Sequence, residues 1–483
     1  MTPADAPPGP LQRVGLWLGP VVFGAILLGT ANGPLAFREA AALAGASWMA
    51  VWWITEAVPM GWTALLPLAL WPILGVHGRG FAGDAWKTAS VFLDAYLFLF
   101  LGGMALGLAM ELTGLHRRIA LHVLNIVGDT PQRVLFGVLL ATMLVSLWIS
   151  NTATAVMMVP IAAALVRKLE DSAGRKLWGF GAAVLLSVAY GANLGGIGTK
   201  IGSGTNSIFC GFVSQRLGID ITFVRYVVMC LPFVILFLPV VWLALWRVAR
   251  VDRAVLRPVD VRGDLALLGA MGRDERLVAV AFGTAAVLWM SGDLLRPLVT
   301  PYVPVFWEGF KVAGKHWEAT VAMVCGTAPF LAGILRPSQL LRIPWSALAL
   351  LGGSFAMAGG IEGSGLSQRI GESLAGVASM PILAQALLAA GASVALSAVA
   401  SNTATVTVLL QVLPPALPVL TATAIGASCD FALPAGTPPN AIVFGTGWIR
   451  LPVMVRVGVV LDIAAVLLLA VYAATWLQWV SPG

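Results

Sequence analysis

The chain has 483 residues, 59 % of them hydrophobic and 11 % charged, with a mean hydropathy of +0.90 and a formal net charge of +7. A soluble domain is about 45–50 % apolar and about 25 % charged, so the soluble globular classes are excluded. The positive charge does not point to nucleic acid, because Lys and Arg stand in short clusters between apolar runs, the distribution expected of a polytopic membrane protein.

Residues 1–10 are Pro-rich and lack the basic n-region of a cleavable signal. From there the apolar runs predict an all-α polytopic membrane protein with about eleven transmembrane helices. They fall at 14–31, 38–54, 61–76, 91–112, 177–214, 223–246, 277–293, 318–334, 345–361, 421–448 and 457–479. Basic clusters set the sidedness: Arg117 and Arg118, then Arg167, Lys168, Arg175 and Lys176, then the linker 247–276, then Arg336, Arg342, Arg450 and Arg456. Residues 370–449 contain no Lys or Arg. Together these predict a cytoplasmic N-terminus and an external C-terminus in a bacterial inner membrane, with Arg79 and Lys87 as minor exceptions. The four cysteines sit in apolar surroundings without CxxC spacing, which predicts buried inert thiols.

Two apolar segments, 134–166 and 380–420, remain. The first has basic residues at both ends, and its 33 residues are too few for two spans of about 20 each. An arm of half that length reaches only about 24 Å as a helix. It is therefore expected to be a re-entrant hairpin whose tip is Ser150-Asn151-Thr152, in the run WISNTATAVMMVP. Irregular backbone at that depth is tolerated only where protein or a water-filled cavity covers it. Residues 400–408, ASNTATVTV, repeat the tip as Ser401-Asn402-Thr403. With Pro414, Pro415 and Pro418 beyond it, 380–420 is expected to be a second hairpin, entering from the opposite face.

The halves match further. FLGGMALGLAMELTGL (100–115) is similar to LLGGSFAMAGGIEGSGL (350–366), at an offset of 250 that becomes 251 at the tips. GSGTNSI (202–208) corresponds to GTPPNAI (436–442). The first hairpin follows an outside-to-inside crossing and the second an inside-to-outside one, so the repeat, 1–246 against 277–483 across the linker, is inverted in topology. Either motif alone has a bland account as small-residue helix packing or a kink. Two matched copies of both favour a binding site at paired helix breaks, the architecture of secondary transporters.

These residues resemble the divalent anion–sodium symporters, the carriers of dicarboxylates, citrate and sulfate. The likeness runs from WWITEAVPMGWTALLPLALWPILGV (52–76) through both SNT tips to LPAGTPPNAIVFGTG (433–447). It implies a homodimer working by an elevator-type movement. Scaffold helices would lie at about 14–112 and 277–361, and transport parts at about 134–246 and 380–479. It implies a dianionic substrate between the tips, with Ser150, Asn151 and Thr152 on one side, Ser401, Asn402 and Thr403 on the other, and Thr437 and Pro438 beside it. It implies one sodium site at Ser146, Ser150, Asn151 and the backbone near Gly198. A second would use Asn402 with backbone near Ala398 and Ala435. Sodium is then the coupling ion, and no other cofactor is expected.

The chemistry of the residues agrees. Helix starts at the tips expose unpaired N–H groups that favour anions. Ser, Thr and Asn add neutral donors, and unwound carbonyls suit a hard monovalent cation. Neither hairpin carries a charged side chain, so an anionic substrate would be neutralised by co-bound cations. A C4 dicarboxylate such as succinate fits two opposed polar tips, with sulfate or citrate as alternatives. An enzyme is disfavoured: the four histidines are scattered, no HExxH occurs, and GGIGTK (195–200) is followed by Ile201 where a phosphate loop needs Ser or Thr. An anion channel shares the architecture but not the expected gradient-driven kinetics. Lys200, inside an apolar span, is a candidate for coupling by default. It snorkels or pairs with Asp430, its near neighbour in repeat register, or it stands in for a cation at the first sodium site, which would make the protein an exchanger or a carrier with fewer coupled ions.

Overall fold

The computed structural model describes residues 9–30, 34–249, 262–302 and 312–481, so the middle of the 247–276 linker lies outside it. Among the described residues every regular element is a helix. Six of them are long and apolar enough to cross a bilayer: Pro10–Gly29, Gly80–Thr113, Asn151–Ala173, Trp178–Ile197, Phe223–Val248 and Leu451–Val480. A seventh is counted if Arg273–Met290 and Gly292–Tyr302, bent by 83° at their junction, form one span. Phe37–Thr55, Gly314–Leu331 and Trp345–Ser364 also coincide with expected spans. The expected span 61–76 is broken into Met60–Thr63 and Leu66–Leu74. Pro67, in the first turn of the second piece, has no N–H to donate back to Thr63, which interrupts the hydrogen-bond ladder there.

Two helices of more than ten residues lie where none was expected. Gly80–Phe92 runs into Ala95–Thr113 through Leu93 and Asp94. The buried Asp84 carboxylate secures its start by accepting from the His77 and Arg79 amides, each at 2.8 Å. Leu115–Val127 is amphipathic and buries Leu115, Leu121 and Leu124. Its Arg118 forks onto Glu275 at 2.5 and 3.0 Å, tying it to the helix Arg273–Met290.

The segment 134–166 is two helices, Pro131–Ser146 and Asn151–Ala173, separated by Leu147–Ser150. Packing against the neighbouring Trp178–Ile197 gives their directions. Gly191 lies on the Leu139 carbonyl and Gly195 on the Met143 carbonyl, so the first arm runs parallel to that neighbour. Gly196 lies on the Asn151 amide and Gly181 on Val166, so the second arm runs antiparallel. The chain therefore doubles back at the SNT tip. The segment 380–420 breaks in the same way, into Ile382–Ser397 and Asn402–Val412. Ser393 and Ser397 donate to the Thr423 and Ala427 carbonyls, so its first arm also runs parallel to the following helix, Leu417–Ala427.

The first tip is braced by aromatic rings. Trp148 stacks on Phe223 and Trp289 with centroids 6.1 and 6.5 Å apart, and meets Phe282 edge-on at 5.1 Å. The second rests on the helices of the N-terminal third, where Ala404 packs in a cluster with Trp53, Trp71 and Met357. Helices Ala95–Thr113 and Gly314–Leu331 cross backbone to backbone at Gly102 and Gly326, where a methyl group on Gly102 would come within 2.3 Å of the Ala322 carbonyl. All four cysteines are buried and free, as their apolar surroundings predict.

Candidate functional site

The helices flanking each tip are followed by a helix that is itself broken. Trp178–Ile197 gives way at Gly198–Ser203 and resumes as Gly204–Arg216. Leu417–Ala427 gives way at Ser428–Thr437 and resumes as Pro438–Phe444. An asparagine ties each break. Asn206 Nδ2 donates to the carbonyls of Gly196 and Thr199 at 2.6 and 2.7 Å. Asn440 Nδ2 donates to those of Asp430 and Leu433 at 3.1 and 3.0 Å. In both halves the carbonyls lie ten and seven residues before the asparagine, so two stretches of different sequence adopt one geometry. The halves differ at the restart of the helix. The Thr437 hydroxyl accepts from the Asn440 amide at 3.3 Å, whereas Ser203 turns to the Thr205 hydroxyl at 2.7 Å and caps nothing.

Each tip meets the broken helix behind it through three oxygens. Ser146 Oγ lies 3.0 Å from Asn151 Oδ1 and 2.8 Å from the Ala192 carbonyl. Ser397 Oγ lies 2.7 Å from Asn402 Oδ1 and 2.7 Å from the Ala427 carbonyl. A hydroxyl has one proton, so with the amides in this orientation each triad holds two acceptors for one donor. That surplus of neutral oxygen suits a hard cation. The Gly196 and Ser146 carbonyls also converge on Gly202, so the first triad sits among unwound backbone.

Ser150 and Ser401 serve as helix N-caps, accepting from the amides of Ala153 at 3.4 Å and Ala404 at 3.2 Å. They leave the next amides of each arm open. The Thr152 and Thr403 side chains make no hydrogen bond to another described residue; Thr152 is exposed and Thr403 half-buried. Thr437 is buried and also accepts from Asn193 Nδ2 at 3.2 Å, so the first broken helix reaches into the second break. Tyr190 does the same through the Phe431 carbonyl at 2.9 Å. Pro438 and Ala435 are exposed beside this junction. A cleft lined by Met104, Gly107, Trp148, Ser150 and Ala153 reaches the first tip, with the ion pair Arg342–Glu111 on its wall at 2.5 Å.

The structure thus joins Ser146 and Asn151 against the first broken helix, and Asn402 with Ser397 against the second. Gly198 lies in the first break, with Leu147 and Leu231 against it. In the second, the side chain that meets Asn402 belongs to Ser397, the residue before Ala398. The 251 offset already relates Ser397 to Ser146. Lys200 requires a correction: it does not pair with Asp430. Its Nζ lies 2.7 Å from Glu318 Oε2, with both side chains buried, and 5.3 Å from the centre of the Tyr96 ring. Glu318 is held in turn by the Phe223 amide at 2.5 Å. Its signal in the sequence was an acid at the head of the apolar run 318–334. Asn193, Asn206, Asn440 and Asp462 are the other polar side chains that sequence reasoning left unassigned.

Comparison with known proteins matches residues 14–481 to the family described as the sodium:sulfate symporter transmembrane region. The sodium-dependent dicarboxylate transporter SdcS of Staphylococcus saprophyticus is 32 % identical, over 95 % of this chain and 91 % of that protein. Its counterpart in Staphylococcus aureus strain USA300 has the same identity and coverage. Among solved structures, the YdaH transporter of Alcanivorax borkumensis superposes with a TM-score of 0.56 at 16 % identity, covering 82 % of this chain and 88 % of that one. MtrF of Neisseria gonorrhoeae, from a class of antimetabolite efflux pumps, also gives 0.56, at 13 % identity and with coverages of 96 and 94 %. At such identities the likeness concerns the fold alone.

Proposed function

Since the chain belongs to the sodium:sulfate symporter family, a family of membrane transporters and not of enzymes, we propose that it carries small divalent anions, C4 dicarboxylates such as succinate foremost, driven by sodium. The observation that carries this reading is the pair of Ser–Asn–carbonyl triads, each beside a helix start with open amides. One carboxylate of the substrate would be met by Asn151 and Thr152, the other by Asn402 and Thr403, with Thr437 and Pro438 alongside. One sodium ion would occupy the Ser146–Asn151 triad with backbone near Gly198. The other would occupy the Asn402 triad, with Ser397 added to the backbone near Ala398 and Ala435. With no charged side chain on either hairpin, the bound cations compensate the dianion.

In the orientation proposed from the basic clusters, both hairpins re-enter the inner membrane from opposite faces of an inverted repeat. The cleft at Ser150 then opens toward the cytoplasm, beside Arg342. The transport parts would move as a unit against the scaffold in an elevator-type cycle within a homodimer. The exchanger alternative loses its support, because the Lys200 ammonium is taken by Glu318 and is not free to replace a sodium ion. The decisive experiment is uptake of labelled succinate into proteoliposomes with and without a sodium gradient, with sulfate and citrate as competitors. Sodium-driven, saturable uptake inhibited best by dicarboxylates is expected. Flux at channel rates, or uptake indifferent to sodium, overturns the proposal.

A further inference from the structure

Asp430 stands in the second break with its side chain fully buried. Among the described residues neither of its carboxylate oxygens has a hydrogen-bond partner; the Ala432 amide faces them without bonding geometry. It has no ion pair with a described residue, and no Lys or Arg occurs between 370 and 449. The carboxylate occupies the space beside Gly436: a methyl group there would lie 1.6 Å from Oδ2. The amides of Asn193 and Asn440 both donate to the backbone oxygen of this same Asp430, at 3.4 and 3.1 Å. Both side chains are fully buried, and both Oδ1 atoms are without a partner among the described residues. The Ser428 hydroxyl, two residues upstream, is likewise buried and unpartnered. A second acid approaches, since Asp462 Oδ1 accepts from the Phe431 amide at 2.9 Å.

A buried carboxylate with no countercharge is too costly to stand, and so is a group of buried acceptors with no donor. A proton on Asp430 would satisfy one acceptor and leave the two amide oxygens orphaned. A sodium ion takes several oxygen ligands at once, and unwound segments of broken helices are where transporters hold it. We infer that Asp430, with Asn193 and Asn440, forms a third sodium site, separate from the two neutral triads at the tips and distinguished from them by a formal negative charge. Gly436 is part of the device, because any larger residue would displace the carboxylate. The occupied site is neutral, so its ion could cross the membrane interior within the protein without a substrate charge to balance it.

The inference rests on the sodium-coupled reading, so its test does not use transport. Equilibrium binding of radioactive sodium to the purified full chain in detergent counts the ions per chain at saturation. Asp430→Asn is expected to bind one ion fewer than the wild type. Gly436→Ala is expected to lose the same ion by steric displacement. Where either variant melts too low to assay, the double variant Asp430→Ala, Gly436→Ala, which relieves the clash, provides the count. A count equal to that of the wild type overturns the third site, even if sodium affinity has fallen. A wild type that binds sodium at this site yet moves no succinate would sink the proposed substrate while leaving the site intact.

Discussion

Ser146 and Ser397 do the same work in the two halves: each hydroxyl sits between a tip asparagine and a carbonyl of the helix behind it. If these triads hold the coupling ions, removing one hydroxyl takes away a ligand whose interaction with a charge is worth roughly 1.5–3 kcal/mol. Ser397→Ala and Ser146→Ala are each expected to raise the sodium concentration for half-maximal uptake by about tenfold or more. An unchanged sodium dependence in both would remove the triads from the mechanism. The threonines test the substrate side. Thr152→Ala and Thr403→Ala should each weaken apparent succinate affinity by a similar factor, and leaving affinity intact in both contradicts a site shared between the tips. The sequence made the tip residues legible because three polar side chains in a row inside an apolar run have few other uses. It left the carbonyl ligands illegible, since every residue carries one and only the path of the chain selects among them. Ala398 offers only such a carbonyl, whereas the Ser397 hydroxyl follows from the 251 offset that relates it to Ser146.

Elements are held together in this protein by contacts that repeat symmetry alone does not reveal. Lys200 and Asp430 lie close in repeat register, but register marks places in two halves related by a pseudo-axis, and such places need not touch. The partner is Glu318, 118 residues away in the chain and on a helix of the other half. The pair fixes the first broken helix against Gly314–Leu331 and, through the Phe223 amide, against Phe223–Val248. Removing one member of a buried pair strands a charge and costs roughly 3–5 kcal/mol, whereas replacing both with apolar residues is often neutral or stabilising. Lys200→Leu and Glu318→Leu are therefore each expected to lower the melting temperature in detergent, and the double variant is expected to recover most of the loss. If Lys200→Leu melts like the wild type, the ion pair does not hold these helices together. The unexpected helices have a physical reason too. Gly80–Phe92 is anchored by Asp84, which reaches back to the amides of His77 and Arg79, and Leu115–Val127 is too polar on one face to register as a span.

The whole molecule turns on the direction of its hairpins. Packing on Gly191, Gly195, Gly196 and Gly181 makes the first hairpin double back, so its two ends lie on the same side of its tip. The basic residues Arg133 and Lys168 bracket it, and both are exposed. The 33 residues of 134–166 are too few for two spans, and with the basic residues at both ends they fit the proposed re-entry from the basic side. In the second half the evidence of charge is inverted: no Lys or Arg stands between 370 and 449, as expected of an external approach. If the repeat is inverted, the two hairpins must be reachable from opposite faces. The four native cysteines are buried, and removing them gives a clean background. In intact cells, Arg133→Cys and Lys168→Cys should both resist an impermeant thiol reagent, then react once the cytoplasmic face is opened. Met380→Cys, at the exposed start of the second hairpin, should react in intact cells. Labelling of positions 133 and 168 from opposite faces would make the first segment a single net crossing. Protection of position 380 until the cells are opened would put both hairpins on one face. Either outcome removes the inverted arrangement, because two hairpins related by an axis in the membrane plane must enter from opposite faces.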